Sequence, residues 1–191
     1  MGADKALLPL GDGNFLTVAL RNARAICPVP VIVGDPGRYR EFGSVVEDRF
    51  KGCGPLGGIH AALSATRSEW NLVLSVDLPM MTPEFLRWLV GEAVAGDELV
   101  TVPRLHGRNE TVCAVYRRSI LPVVERALIA GDFKVGRILA NVPVRYASDE
   151  EIVAAGFQEE IFRNVNTPDD YEWVKQHFSQ AGVTATTDRR G

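Results

Sequence analysis

The 191-residue sequence predicts a doubly wound α/β fold, with a mostly parallel sheet that is covered by helices on both faces. Three observations support this prediction. Short apolar segments alternate with segments of helical periodicity, most of the apolar segments lack a polar face, and the connections between segments are brief. No internal repeat or linker divides the chain, so we expect a single domain over residues 1–178 and a flexible tail over residues 179–191.

The helix predictions are based on the spacing of apolar residues and on residue types that commonly begin helices. Asn14 is a predicted N-cap for the first helix. Thr82, Pro83 and an acid in the first turn mark the start of another. The spacing of apolar residues predicts helices over residues 15–26, 59–66, 83–95, 119–130, 135–141 and 168–178.

The predicted strands are short runs of apolar residues that end at turn signals. The segment 71–76 is the clearest of them, because four of its six residues are apolar and it stops at Asp77-Leu78-Pro79. The full set of predicted strands is 29–33, 44–46, 71–76, 99–102, 111–116, 142–146 and 161–165. In doubly wound sheets ligands bind at the carboxyl ends of the strands, which is where functional residues are expected.

Composition and charge exclude several classes of function. The net charge is −3 and no run of five basic residues occurs, so the chain lacks the positive field that attracts nucleic acid or anionic membranes. The three cysteines, Cys27, Cys53 and Cys113, are far apart and odd in number, which favours reduced thiols over a disulfide frame or a zinc site. No apolar run reaches the ~20 residues of a membrane helix, and no signal-peptide pattern is present. We therefore expect a cytoplasmic protein.

Three acidic residues, Asp35, Asp48 and Asp77, each follow a predicted strand. A carboxylate at a strand end is a suitable ligand for Mg²⁺, which proteins usually hold through one or two carboxylates together with substrate phosphates. Asp77 is the strongest candidate because it follows the clearest strand. A turn or helix-capping role would leave the same pattern, and the residues alone do not separate the two interpretations.

Two further features are typical of phosphate binding. The segment Gly54-Pro55-Leu56-Gly57-Gly58 opens a helix, and glycines at a helix amino terminus let the backbone approach an anion. Lys5 lies in a loop near the start of the chain, where its charge would offset charge on a transferred phosphoryl group. A plain strand-to-helix turn and an ordinary surface lysine would look the same, so each feature is weak alone.

Four segments in this order carry a resemblance to a known family: MGADKALLPL (1–10), VVEDRFKGCGPLGGIHAAL (45–63), LVLSVDLPMMTPEFL (72–86) and FRNVNTPDDY (162–171). Together they resemble the molybdenum cofactor guanylyltransferases, a branch of the nucleotidyltransferase superfamily. The resemblance implies the Rossmann-like fold of the nucleotide-diphospho-sugar transferases. It also implies transfer of GMP from GTP to the molybdopterin form of the molybdenum cofactor, with release of pyrophosphate and with Mg²⁺ as cofactor.

The resemblance also implies roles for individual residues. Lys5 would contact the GTP phosphates, Asp48 would lie in the nucleotide site, and Asp77 would bind GTP and hold Mg²⁺; Lys5 and Asp77 would be the catalytic residues. The nucleotide-side loop would consist of Gly54, Pro55, Leu56 and Gly57, and the pterin side would include Asn164 and Asn166. The implied partners are GTP and the pterin cofactor, with proteins that deliver or receive that cofactor.

The sequence departs from this family in two places. Some members have an asparagine after the strand that corresponds to residues 31–33, where this chain has Gly34, and we expect Asp35 to take over that contact. Members also begin with an apolar strand and a loop of the form L-A-G-G-x-S-x-R-M-G-x-D-K, of which this chain has only Met-Gly-Ala-Asp-Lys. We therefore expect the sequence to be truncated at its amino end, with two inner strands left without a partner.

Three other functions remain open at this point. A cytidylyltransferase for the same pterin or a sugar-phosphate nucleotidyltransferase would use the same residues. A non-catalytic nucleotide-binding remnant is the remaining alternative, if Met1 is the true start.

Overall fold

The computed structural model describes residues 4–181. Eight α-helices occur in this part of the chain: α1 Phe15–Arg24, α2 Pro36–Tyr39, α3 Pro55–Ala65, α4 Pro83–Ala95, α5 Leu121–Ile129, α6 Val135–Leu139, α7 Asp149–Ala154 and α8 Pro168–Ala181. Its nine strands are β1 Pro9–Leu10, β2 Gly13–Asn14, β3 Val31–Val33, β4 Ser44–Val46, β5 Trp70–Leu74, β6 Val100–Leu105, β7 Arg108–Asn109, β8 Cys113–Arg117 and β9 Val144–Ala147.

The predicted α/β class is confirmed, and the strands form a mixed sheet. β8 pairs antiparallel with both β5 and β6, and β9 pairs parallel with β6. Consequently β5, β6 and β9 point the same way and β8 runs against them. β3 and β4 pair in parallel as a separate two-stranded unit, and β1 and β2 form a short hairpin.

Helices cover both faces of the larger sheet. Ala114 and Tyr116 of β8 face the core that contains α3, α5 and α6. Their neighbours Cys113 and Val115 face the opposite core, which contains α4 and α7. This alternation follows from the period of two in a strand, and it explains why residues 113–116 of β8 are all buried.

The sequence predictions are correct for most elements and wrong for one strand. The predicted strand 44–46 and the predicted helix 83–95 match β4 and α4. Residues 161–165 were predicted as a strand, whereas Glu159–Phe162 form a 3₁₀ turn. Here Phe162 is buried by edge-to-face packing on Phe85, which an irregular segment achieves as well as a strand does.

The two ends of the described chain pack against each other. Phe15 of α1 packs edge-to-face on Tyr171 of α8, and the Tyr171 hydroxyl donates a hydrogen bond to the Pro9 carbonyl at 2.8 Å. α8 continues to Ala181, beyond the predicted end at residue 178, and residues 182–191 of the predicted tail lie outside the described residues. Between residues 4 and 181, no helix is long and apolar enough to cross a membrane.

Candidate functional site

Lys5 lies at the centre of a polar cluster. It belongs to a 3₁₀ turn, Lys5–Leu7, that is capped by the carboxylate of Asp4. The Lys5 ammonium is 3.4 Å from a carboxylate oxygen of Asp77 and donates a hydrogen bond to the amide oxygen of Asn166 at 3.0 Å. The three side chains therefore meet although Lys5 and Asn166 are 161 positions apart in sequence.

Asp77 follows β5 at its carboxyl end, where the topology of the sheet predicts a ligand site. Its backbone N–H donates to the Ser75 hydroxyl at 3.2 Å, and its carbonyl accepts from the Val165 N–H at 3.1 Å. The side chains of Lys5 and Asp77 are 28% and 33% exposed, so both are held in place and both remain accessible to a ligand.

A capping interaction at the start of α8 positions Asn166. The Asp170 carboxylate accepts hydrogen bonds from the backbone N–H groups of Asn166 and Thr167 and from the Thr167 hydroxyl. These hydrogen bonds, above all the one from the Thr167 hydroxyl, hold the pKa of Asp170 below its usual value. In return, the Asp170 N–H donates to the Thr167 hydroxyl at 3.1 Å. Sequence reasoning missed Asp170, although Thr-Pro-Asp-Asp has the spacing of a capping box.

Sequence reasoning also missed Asp4, which positions the loop that carries Lys5. Its carboxylate accepts hydrogen bonds from the Tyr39 hydroxyl at 2.8 Å and from the Arg38 guanidinium at 3.3 Å. Partial burial by itself would raise the pKa of Asp4, but these hydrogen bonds and the Ala6 N–H outweigh it and lower the pKa. For Tyr39, burial and the adjacent Asp4 carboxylate raise the pKa to about 12. Asp4 thereby ties the loop that carries Lys5 to the segment after β3.

The glycine-rich loop and Asp48 form a second group of residues. Gly54 is the N-cap of α3 and has φ +61° and ψ −151°, a backbone conformation that side chains disfavour. The Asp48 carboxylate accepts a hydrogen bond from the Phe50 N–H at 2.8 Å and lies directly against Gly57. A side chain at position 57 would collide with it, so the first turn of α3 and Asp48 depend on each other's placement.

Asn164 lines a separate polar cavity of about 700 Å³. His106, Arg108, Glu110 and Arg163 also line it, so it presents charges of both signs. Glu110 is partly buried, and this burial raises its pKa despite the opposing influence of Arg108. The cavity adjoins the Lys5 cluster through the backbone between Asn164 and Asn166.

The structure thus distributes the predicted site residues over three places. Lys5, Asp77 and Asn166 are in contact. Asp48 and the loop Gly54, Pro55, Leu56 and Gly57 form the second group, and Asn164 borders the cavity.

Asp35 is a helix cap. Its carboxylate accepts a hydrogen bond from the Gly37 N–H at 2.8 Å at the start of α2. A Cβ at Gly34 would lie 2.7 Å from the ring of Tyr39, so a larger residue at this position would require the ring to move.

Metal ligands are few in the described part of the chain. Between residues 4 and 181, no group of three or more His, Cys, Asp or Glu side chains is arranged to hold a metal ion. The partly exposed carboxylate of Asp77 fits a divalent cation that takes its other ligands from phosphates and water. It does not fit a cation held by protein groups alone.

The mixed α/β sheet, with its polar cluster at the carboxyl end of β5, places the protein in the class of open α/β sheets, which bind ligands at the carboxyl ends of their strands. The family of MobA-like NTP transferase domains matches residues 1–150, which is more than half of the chain. The chain belongs to this family of nucleotidyltransferases.

Curated relatives agree with this assignment. The chain is 36% identical over 180 residues to a probable molybdenum cofactor guanylyltransferase from Carboxydothermus hydrogenoformans, and the match covers 94% of this chain and 90% of the relative. It is 34% identical to a protein of the same name from Pelotomaculum thermopropionicum, over 89% of this chain and 83% of that one. Similarity therefore extends over nearly the whole length.

Solved structures share the fold. The crystal structure of molybdopterin-guanine dinucleotide biosynthesis protein A from Archaeoglobus fulgidus superposes with a TM-score of 0.81 at 26% identity, over 94% of this chain and 92% of that one. A Mycobacterium tuberculosis protein in complex with manganese superposes with a TM-score of 0.67 at 22% identity, over 92% and 93%. At that identity the second likeness concerns the fold alone.

Proposed function

We propose that this chain transfers GMP from GTP to the molybdopterin form of the molybdenum cofactor, giving the guanine dinucleotide cofactor and pyrophosphate. The observation that carries the proposal is the contact between Lys5, Asp77 and Asn166 at the carboxyl end of β5. Family membership and the names of the relatives at 36% and 34% identity support the choice of nucleotide and acceptor.

The reaction requires no nucleophile from the protein. A terminal phosphate oxygen of the pterin attacks the α-phosphorus of GTP and forms the new P–O bond. The bond from the α-phosphorus to the bridging oxygen breaks, and pyrophosphate leaves with the electron pair. The protein can catalyse such a transfer by positioning the two phosphates and stabilising their charge.

Lys5 and Asp77 would be the catalytic residues. The Lys5 ammonium is oriented by Asp77 and Asn166 and would move onto the GTP phosphates, where it offsets the charge of the transferred group. Asp77 would bind GTP and hold Mg²⁺ through its carboxylate. When bound, Mg²⁺ would supply charge neutralisation at the phosphate oxygens.

The remaining site residues would line the binding surfaces for the two substrates, the nucleotide and the pterin. Asp48, with the loop Gly54, Pro55, Leu56 and Gly57, would form the nucleotide side, where the amino end of α3 favours an anion. Asn166 and Asn164 would face the pterin, and the 700 Å³ cavity beside Asn164 provides space for it. We further propose a single catalytic domain over residues 1–178 in a cytoplasmic protein, which exchanges cofactor with delivery or acceptor proteins.

The test is pyrophosphate release that depends on both the pterin and a nucleotide. With Mg²⁺ present, we expect GTP to be consumed and CTP to be left intact, while CTP turnover without GTP turnover would overturn the guanine assignment. Calorimetric titration with Mg²⁺-GTP measures binding separately, and binding without turnover would favour the non-catalytic nucleotide-binding remnant.

Single substitutions test whether the transferase activity depends on the cluster of Lys5, Asp77 and Asn166. Asp77→Asn and Lys5→Met should each reduce turnover by about 100-fold or more, since each removes a charged group that faces the transferred phosphate. Asp12→Asn is the matched control, because it removes the same charge from a side chain that is 92% exposed. Unchanged turnover in Asp77→Asn would remove Asp77 from the mechanism.

A further inference from the structure

Three carboxylates border the polar cavity that adjoins Asn164, and their surroundings differ. A carboxylate oxygen of Glu159 is 2.8 Å from the His106 Nε2 atom, and Glu160 is exposed. Glu110 is partly buried, and its carboxylate accepts no hydrogen bond from the described residues 4–181. Because an acceptor that has left water without gaining a donor is unfavourable, Glu110 is the carboxylate of this cavity that gains most from a ligand with N–H groups.

The backbone holds Glu110 in one position, directly after β7. The Glu110 N–H donates to the Pro103 carbonyl at 2.9 Å, and the Glu110 carbonyl accepts from the Cys113 N–H at 3.0 Å. Pro103 belongs to β6 and Cys113 to β8, so Glu110 is anchored to two strands of the larger sheet. A side chain on such a fixed backbone loses less conformational freedom on binding than one on a mobile loop.

The same cavity has an apolar wall. Leu105 and Phe162, which belong to the hydrophobic core, form part of its lining. Apolar and aromatic side chains beside a few polar groups are the usual lining of a small-molecule site. A flat heteroaromatic ring therefore fits this cavity of about 700 Å³ when one edge of the ring carries N–H donors that face Glu110.

We propose that Glu110 recognises the pterin of the acceptor, by accepting hydrogen bonds from the ring N3–H and from the 2-amino group. These two N–H groups project side by side from one edge of the pterin, and an ionised carboxylate offers two acceptor oxygens and no donor. The phosphate end of the pterin would then extend past Asn164 towards the Lys5 cluster. The inference rests on the proposed function in one respect, since that function supplies a pterin as the acceptor.

Guanine carries the same pair of donors, on N1 and on its 2-amino group, so the nucleotide is a second source of this chemistry. The position of Glu110 favours the pterin. Glu110 shares its cavity with Asn164, whereas Asp48 and the loop that begins α3 do not border that cavity.

Two ligands that differ only at position 2 of the ring test this recognition. 6-Hydroxymethylpterin phosphate has the 2-amino group, and 6-hydroxymethyllumazine phosphate has an oxygen acceptor in its place. Each is titrated calorimetrically into the 191-residue chain without nucleotide. The pterin compound should have a Kd at least about tenfold lower, because the 2-oxo group of the lumazine would face a carboxylate oxygen. Equal Kd values, or no binding of the pterin compound at millimolar concentration, would overturn the proposal.

The variant Glu110→Gln assigns the selectivity to this side chain. The amide replaces one acceptor oxygen by a donor, which opposes the 2-amino group of the pterin and suits the 2-oxo group of the lumazine. The ratio of the two Kd values should therefore fall to about twofold or less. Glu160→Gln is the matched control, because it removes the same charge from an exposed side chain on the same cavity, and it should leave the ratio unchanged. An equal fall in both variants would overturn the proposal, since the effect would then come from the total charge of the cavity.

Titration with Mg²⁺-GTP distinguishes the pterin from guanine as the group that Glu110 binds. Glu110→Gln should leave the Kd for Mg²⁺-GTP unchanged. A loss of GTP affinity together with an unchanged ratio for the pterin and lumazine compounds would assign Glu110 to the nucleotide and overturn the proposal.

The ratio of Kd values also separates this inference from the proposed function. It is measured on the unaltered chain as well, so the test does not depend on the folding of a variant. Pterin-selective binding without GTP turnover would contradict the proposed function and leave the role of Glu110 in place. GTP turnover with a ratio near one would contradict the role of Glu110 alone.

Discussion

Replacing Gly57 by alanine tests how tightly Asp48 is packed against α3. A Cβ at position 57 would lie 2.9 Å from the Phe50 carbonyl oxygen and even closer to the Asp48 carboxylate. The neighbouring Gly58 provides a matched control, since a Cβ there would meet nothing nearer than a Val33 methyl group at 4.0 Å. The two substitutions add the same methyl group to the same helix, so they differ only in what that group meets.

The expected difference follows from two opposing effects. An alanine in place of a helical glycine stabilises the fold by about 0.5–1 kcal/mol. Overpacking costs about 1–3 kcal/mol, because a carboxylate and a backbone carbonyl must both move. Gly58→Ala should therefore raise Tm by about 2 °C, and Gly57→Ala should lower it by about 3 °C, at roughly 2–4 °C per kcal/mol for a chain of this size.

Urea unfolding of the two variants measures the free energies directly. Asp48→Ala removes the atoms nearest to the new methyl group, so the double variant with Gly57→Ala should recover part of the loss, with a coupling energy above about 0.5 kcal/mol. Equal stability of Gly57→Ala and Gly58→Ala would refute the argument, since it would show that Asp48 does not rest against the helix.

Three other predictions concern positioning, accessibility and pH. Asp170→Ala should speed hydrogen exchange at the Asn166 amide severalfold, because its hydrogen-bond acceptor is removed; an unchanged rate would show that the loop is ordered by other contacts. Cys27 is exposed, whereas Cys113 is buried and burial raises the pKa of its thiol. A thiol reagent should therefore label Cys27 at least tenfold faster in the folded protein, with Cys113 reacting only in denaturant, and equal rates would contradict the packing of β8. The lowered pKa of Asp4 stabilises the fold above the ordinary value of 3.8, and this contribution is lost as the pH falls through the folded-state pKa. Urea titrations between pH 5 and 3 should show a smaller loss of stability for Asp4→Asn than for the unaltered chain, and parallel losses would argue against the contact with Tyr39.

Local signals in the sequence predicted most of the fold. Thr82 accepts a hydrogen bond from the Phe85 N–H and Pro83 is the first residue of α4, as their types predict. Asn14 likewise caps α1 through the Thr17 N–H. These elements were predictable because their boundaries depend on residues within one turn of each other.

Elsewhere the local pattern was ambiguous or was overlooked. The apolar residues Ile161 and Val165 suggested a strand, yet a short apolar run does not distinguish a strand from a buried irregular segment. The helix α7 was not predicted, although Ser148 and Glu151 form a capping box at its start. Its six residues are too few for the periodicity that revealed the longer helices.

The site depends on both ends of the described chain, which explains why its geometry could not be read from sequence. Local patterns single out Lys5 and Asp77 as candidates, but the contact with Asn166 requires α8 to dock on the amino-terminal hairpin. Tyr171 secures that docking through its ring against Phe15 and its hydroxyl on the Pro9 carbonyl. A change that loosens α8 should thus displace Asn166 from Lys5 without touching β5. The orientation of the Lys5 ammonium is consequently a tertiary property, whereas the position of Asp77 is set by the strand that precedes it.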